Sequence, residues 1–111
     1  MKHQEILKGL IRLHILHHAS KGEFYGQWMI HELARHGYRL SAGTLYPMLH
    51  ALEAAGHLTS TDDVVAGKRR KYFRITPRGR KLLAEARTKL QELVSEIIDD
   101  KDALAERKKN S

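Results

Sequence analysis

Ser41-Ala42-Gly43-Thr44-Leu45-Tyr46-Pro47-Met48-Leu49 and, further on, Lys68-Arg69-Arg70-Lys71 are the two stretches whose reading decides the fold. The first opens on a serine placed as a helix N-cap. Leu45, Met48, Leu49 and Leu52 then recur at i, i+3, i+4 and i+7, which predicts a helix with one apolar face. Its opposite face carries Ala42, Gly43, Thr44, Pro47, Ala51 and Ala54, all small or compact. Pro47 costs a helix hydrogen bond unless the first turn or a local kink absorbs it. The basic run lies between two strand-forming segments, Leu58 to Val65 and Arg70 to Ile75, joined by Ala66-Gly67-Lys68. A polar-faced helix beside a basic hairpin is the anatomy of a winged helix-turn-helix, with the helix in a DNA groove and the wing on the backbone.

Outward from this centre the chain reads as helices. Ile6, Leu10 and Leu13 form an apolar row over about Gln4 to Ala19, with Leu7, Ile11 and Ile15 beside it. So broad an apolar surface predicts burial on more than one side. A second helix is expected from about Gly26 to His36, with Met29, Ile30 and Leu33 inward and Gly37 as a left-handed cap. Thr76-Pro77 is an N-cap followed by a proline at the first helical position. The helix it starts is expected to reach at least Asp100. Leu83, Leu90, Ile97 and Leu104 recur every seven residues along it, with Ala86 and Leu93 between them. The last residues, Arg107 to Ser111, are expected to fray. The expected architecture is mainly α with a small β-hairpin. Residues 1–76 are the winged helix-turn-helix and residues 77–111 a long C-terminal dimerisation helix.

The 111 residues suit one small domain with an appended helix, and an apolar fraction of 41% supports a core. A formal charge of +7 points to an anionic partner, nucleic acid or membrane surface. The charge is localised: residues 68–81 hold eight of the twenty Lys and Arg. Seven of the thirteen acidic residues lie from Glu85 onward, so the middle of the chain is the anion-binding candidate. The chain has no cysteine, which excludes disulfides, thiolate catalysis and cysteine metal sites. No apolar run approaches ~20 residues and no signal peptide opens the chain, so a cytoplasmic protein with no membrane partner is expected. No nucleophile elbow, phosphate loop or zinc-protease pair is present, so an enzyme is not expected.

Gly43-Thr44-Leu45-Tyr46-Pro47, Leu52-Glu53-Ala54-Ala55-Gly56 and Arg70-Lys71-Tyr72-Phe73-Arg74-Ile75-Thr76-Pro77-Arg78-Gly79, in that order, resemble the PadR family of transcriptional regulators, in its short form with one C-terminal helix. The resemblance implies a homodimer, usually a repressor, that leaves its operator when an effector binds. Two departures stand out. Gly26 is followed by Gln27 where the family often has tyrosine. No aromatic residue follows Phe73, whereas some relatives use one to sandwich flat ligands.

The residues expected to meet double-stranded DNA are Tyr25, Ser41, Gly43, Thr44, Tyr46, Lys68, Arg69 and Arg70. The bland reading of the basic run is a hairpin edge blunted by charge. Strand alternation puts Arg70, Tyr72 and Arg74 on one face and Arg69, Lys71 and Phe73 on the other, so the tip carries the freest cations. The dimer interface is expected to use Leu7, Ile11, Leu83, Leu90, Leu93 and Ile97. Eight histidines are unusual in 111 residues. His14 and His18 share a helix face at the spacing that can chelate a divalent metal, with His3, His17, His31 or His36 as additions. Half-buried packing is the bland reading of these rings, and a pH-sensitive interface is a third. Trp28 reads as core or interface packing, or as a neighbour of an organic effector. The function that follows is a dimeric regulator on an inverted-repeat operator, released by a small molecule or divalent metal. The alternative is a winged-helix module for non-specific nucleic-acid or protein binding.

Overall fold

The computed structural model describes residues 3–99 and residue 107, without the side chain of His3. Leu104, Asp100 and the expected fraying of residues 108–111 lie outside the described residues. The order is α1 (His3–Ala19), β1 (Phe24–Tyr25), α2 (Gly26–Arg35), α3 (Ala42–Ala54), β2 (Leu58–Val65), β3 (Lys68–Ile75) and α4 (Pro77–Ile98). The strands form one antiparallel sheet in the order β1-β3-β2. This is a winged helix-turn-helix with a long following helix.

Two helices end by the same device. Gly37 and Gly56 take left-handed backbone angles. The amides of Tyr38 and His57 then donate to the carbonyls of Leu33 and Leu52, closing a Schellman motif at each end. Both glycines are needed because a side chain is strained at such angles. The last helix starts as expected: Thr76 Oγ1 accepts from the Gly79 amide at 3.0 Å, with Pro77 at the first position. The Thr76 hydroxyl in turn donates to the Gly56 carbonyl, which ties the end of α3 to the start of α4.

The core is the meeting place of all elements but the wing tip. Ile11, Ile15 and Leu16 of α1, Met29 and Leu33 of α2, and Leu45, Leu49 and Leu52 of α3 pack with Phe24, Leu58 and Phe73 from the sheet. Phe24 lies opposite Phe73 in register, and their rings stack 5.6 Å apart. Among the described residues no polar or charged residue is fully buried.

Three sequence expectations need correction. The hairpin is a three-stranded sheet, because Phe24 and Tyr25 add a two-residue strand too short to show a period. The wing turn is Ala66-Gly67 alone: Val65 pairs with Lys68, so Lys68 is in the ladder. And Ile11, expected at the dimer interface, packs in the core of its own chain, 6% exposed. The α1 face left outside is Ile6 and Leu10 instead.

Candidate nucleic-acid interface

Helix α3 begins with an open N-terminus. Ser41 has the extended backbone of an N-cap, but its side chain makes no capping hydrogen bond. Its carbonyl accepts from Thr44 and Leu45, and its hydroxyl lies 3.3 Å from the Thr44 hydroxyl. The first amides of the helix therefore point outward with two hydroxyls beside them, a positive helix end suited to a phosphate. Ser41, Ala42, Gly43, Thr44 and Pro47 are all exposed. A Cβ on Gly43 would meet nothing closer than the Ser41 hydroxyl, so this surface is flat and low. Pro47 is carried inside α3 on its solvent side; it has no N–H for the Gly43 carbonyl, which keeps that acceptor on the exposed face. Close approach of a groove wall is what such a face permits.

Tyr46 sits differently from the expectation. It is half-buried and packs on the core, with its phenol against Gly26 at the start of α2. Only a glycine leaves room for that ring. Tyr46 thus locks α3 to α2, with part of its surface still exposed.

The wing is a ladder of eight residue pairs from Leu58↔Ile75 to Val65↔Lys68. Residues 61–71 are all exposed, so Lys68, Arg69, Arg70 and Lys71 present their cations to solvent at or near the tip. The cations are not equivalent. The Arg70 guanidinium lies 4.4 Å from the centre of the Tyr25 ring, a cation–π seat, and Tyr25 packs edge-on to its register partner Tyr72. Tyr25 is the N-cap residue of α2, so this stack joins the wing to that helix start. Arg74 is committed to Glu23 at 2.8 Å. Lys68 and Arg69 stand opposite Val65 and Val64, while Arg70 and Lys71 stand opposite Asp63 and Asp62. The charge free of acidic neighbours across the ladder is therefore concentrated at Lys68 and Arg69.

Away from this face, α1 and α4 border a cleft of about 550 Å³ lined by Leu10, Leu13, His14, Leu83, Leu90 and Val94 among others. Of the expected interface residues, Leu90, Leu93 and Ile97 are exposed, while Leu7 and Leu83 are half-buried. Val94 and Ile98 are exposed apolar residues of α4 that the heptad reading passed over. His14 and His18 do come together, and the third imidazole beside them is His36, at the C-cap of α2. His17 and His31 are exposed and outside that group. Trp28, 40% exposed, lies edge-on to His18. Among the described residues no helix is long and apolar enough to cross a membrane.

Comparison with known proteins agrees with this geometry. The model of the transcriptional regulator PadR-like family matches residues 15–85. The chain is 52% identical over 95 residues to the transcriptional regulator Rv3488 of Mycobacterium tuberculosis, covering 86% of this chain and 89% of that protein. Among solved structures it is similar to a PadR family transcriptional regulator from Eggerthella lenta, with a TM-score of 0.75 at 32% identity, covering 85% of this chain and 83% of the other. A PadR-like transcriptional regulator from Bacillus cereus gives a TM-score of 0.78 at 28% identity, covering 86% and 94%.

Proposed function

This chain belongs to the PadR-like family of transcriptional regulators, and we propose that it is a homodimeric repressor that reads an inverted-repeat operator and leaves it when a small effector binds. The family is one of DNA-binding regulators and not of enzymes. The observation that carries the finer reading is the pairing of the open, small-faced start of α3 with the cationic wing tip. Ser41, Gly43 and Thr44 approach the base edges and nearest phosphates. Lys68 and Arg69 bind the backbone, and Arg70, held on Tyr25, sets the angle of the wing. In a two-fold dimer the two α3 helices meet half-sites about one helical turn apart, ~34 Å. That work places the protein in the cytoplasm with the DNA it regulates.

Release follows from any effector that prefers a second arrangement of the dimer, because ligands shift an equilibrium only by differential affinity. The cleft between α1 and α4 suits an organic effector, and the histidine group suits a divalent metal.

The test is quantitative binding to duplex from the chain's own promoter region and to a scrambled duplex, at one stated salt concentration. A specific repressor favours the first by ~10³-fold or more. Equal binding, or none, would replace this reading with a module for non-specific nucleic-acid or protein contact.

A further inference from the structure

His14 and His18 lie one turn apart on α1, with rings stacked 6.1 Å apart. His36 reaches over from the end of α2, its ring 4.9 Å from that of His14 and 5.3 Å from that of His18. Each ring offers a nitrogen, and the three nitrogens lie within 4.8 Å of one another. A carboxylate faces two of them. Glu32, one turn before His36, has Oε1 3.5 Å from His36 Nε2 and 4.0 Å from His18 Nε2, while Oε2 is held by Arg35 at 3.2 Å. We propose that His14, His18, His36 and Glu32 bind one divalent transition-metal ion of the zinc class within a single chain, and that this ion weakens operator binding by moving the start of α3; the second half of this proposal rests on the repressor reading above.

The bland alternative is three packed imidazoles. It leaves His18 Nε2 buried without a hydrogen-bond partner, 4.0 Å from a largely buried Glu32 carboxylate. Burial and the neighbouring imidazoles His36 and His17 hold His14 below the ordinary histidine range. Burial does the same for His18, against the opposing pull of Glu32. A metal binds imidazole through a free ring-nitrogen lone pair, and each of the three rings has a nitrogen within reach of a common centre. A cation at their centre satisfies His18 Nε2 and Glu32 together. Three imidazole nitrogens and one carboxylate oxygen are the donors of zinc, cobalt or nickel; magnesium and calcium prefer oxygen alone.

Binding also requires motion. Zinc–nitrogen bonds place tetrahedral ligand atoms about 3.3–3.4 Å apart. Nitrogens now up to 4.8 Å apart must close toward that spacing. Helix α1 is anchored in the core by Ile11, Ile15 and Leu16, so the yielding partner is the exposed His36 at the end of α2. Only Gly37 to Ser41 separates it from α3, and Gly37 is already in a left-handed turn. A pull on His36 is thereby a pull on the start of α3.

The experiment uses the full chain, stripped with a chelator and dialysed, titrated with zinc chloride by calorimetry and with cobalt for visible bands. The single tryptophan, Trp28, stands 6.0 Å from the His18 ring, so its emission gives an independent readout. We expect one ion per chain, a Kd tighter than ~10 μM, tetrahedral cobalt bands and a change in emission. His36→Ala, at an exposed position, and the isosteric Glu32→Gln should each weaken binding about 10- to 100-fold, while His31→Ala should not. No zinc binding at that level, or binding undiminished in both His36→Ala and His18→Ala, overturns the site. Zinc should also weaken operator binding about 10-fold in the wild type and not in His36→Ala. Zinc bound with operator affinity unmoved overturns the regulatory half alone. A metal-free protein that ignores its operator sinks the repressor reading and leaves the zinc measurement standing.

Discussion

At the scale of single residues, two glycines make opposite predictions. A Cβ on Gly79 would run into the His57 carbonyl and the Ile75 side chain, so α4 can lie on the sheet only because position 79 is bare. Gly79→Ala should cost ~1–3 kcal/mol, with backbone on one side unable to yield. Gly9, inside α1, would meet nothing with a Cβ. Gly9→Ala should stabilise by ~0.5–1 kcal/mol through helix propensity. Urea unfolding at one protein concentration measures both, and equal effects would contradict the packing. The histidines give a pH prediction for metal-free protein. Folding lowers the proton affinity of His14, by burial first and then by His36 and His17. It lowers that of His18 by burial first, with Glu32 opposing and His17, His36 and His14 assisting. Below about pH 6.5 the unfolded chain therefore binds more protons than the folded one, and stability falls as pH drops through that range. It returns as the pH rises. A melting temperature that holds constant from ~pH 7.5 to ~pH 5.5, or a fall that persists unchanged in His14→Ala/His18→Ala, would contradict this. Glu32 was not legible in the sequence as a partner of His14 and His18, and His36 was legible only as one of several possible additions. Spacing along one helix shows i, i+4 pairs, whereas His36 is brought in by a tertiary contact that no local period records.

At the scale of elements, legibility followed how local the cause was. The ends of α2, α3 and α4 could be read because Gly37, Gly56 and Thr76-Pro77 act on their own neighbours. The strand β1 could not, since Phe24 and Tyr25 are extended only because β3 pairs with them. In the wing, the turn hides behind an alanine. Ala66 and Gly67 both have positive φ, 54° and 76°, which makes a two-residue turn of the kind that matches strand twist. Alanine is an uncommon choice there, so the sequence suggested a longer loop. It follows that Ala66→Asn, giving Asn-Gly, should stabilise the protein by up to ~1 kcal/mol by relieving left-handed strain. The cations at the tip supply a second check. Lys68→Ala and Arg69→Ala should each lower the slope of log affinity against log salt by about one unit if each neutralises a phosphate. Arg70→Ala should change the slope less and the affinity more than its charge alone explains, because it also frees Tyr25. Three equal slopes would mean the stack on Tyr25 does not distinguish Arg70 in solution.

At the scale of the whole molecule, the decisive feature is the apolar surface left on two helices. Leu90, Leu93, Val94, Ile97 and Ile98 on α4 are 37–74% exposed, and Ile6 and Leu10 on α1 are 49% and 37% exposed. The heptad row predicted a partner for α4, but the apolar surface of α1 spans two adjacent rows, and no period could say which of them the core would take. The core took Ile11 and Ile15, and Ile6 and Leu10 remain outside, Leu10 on the wall of the cleft. Full burial of one of the α4 side chains is worth ~1.5–3 kcal/mol, and a second copy that covers α4 gains the part of it that the present exposure leaves. Five such side chains from each chain supply the apolar surface for the expected association, set against the entropy of bringing two chains together. In the proposed dimer, isologous pairing would also fix the spacing of the two α3 helices, on which recognition of an inverted repeat depends. Leu90→Asp with Ile97→Asp should therefore give folded monomers, because neither residue belongs to the core of its own chain. Their helical circular dichroism should be largely kept and their specific DNA binding lost. Sedimentation equilibrium at micromolar concentration decides the matter: a wild type that sediments as a monomer, or a double variant that stays dimeric, would mean that another surface joins the chains or that none does.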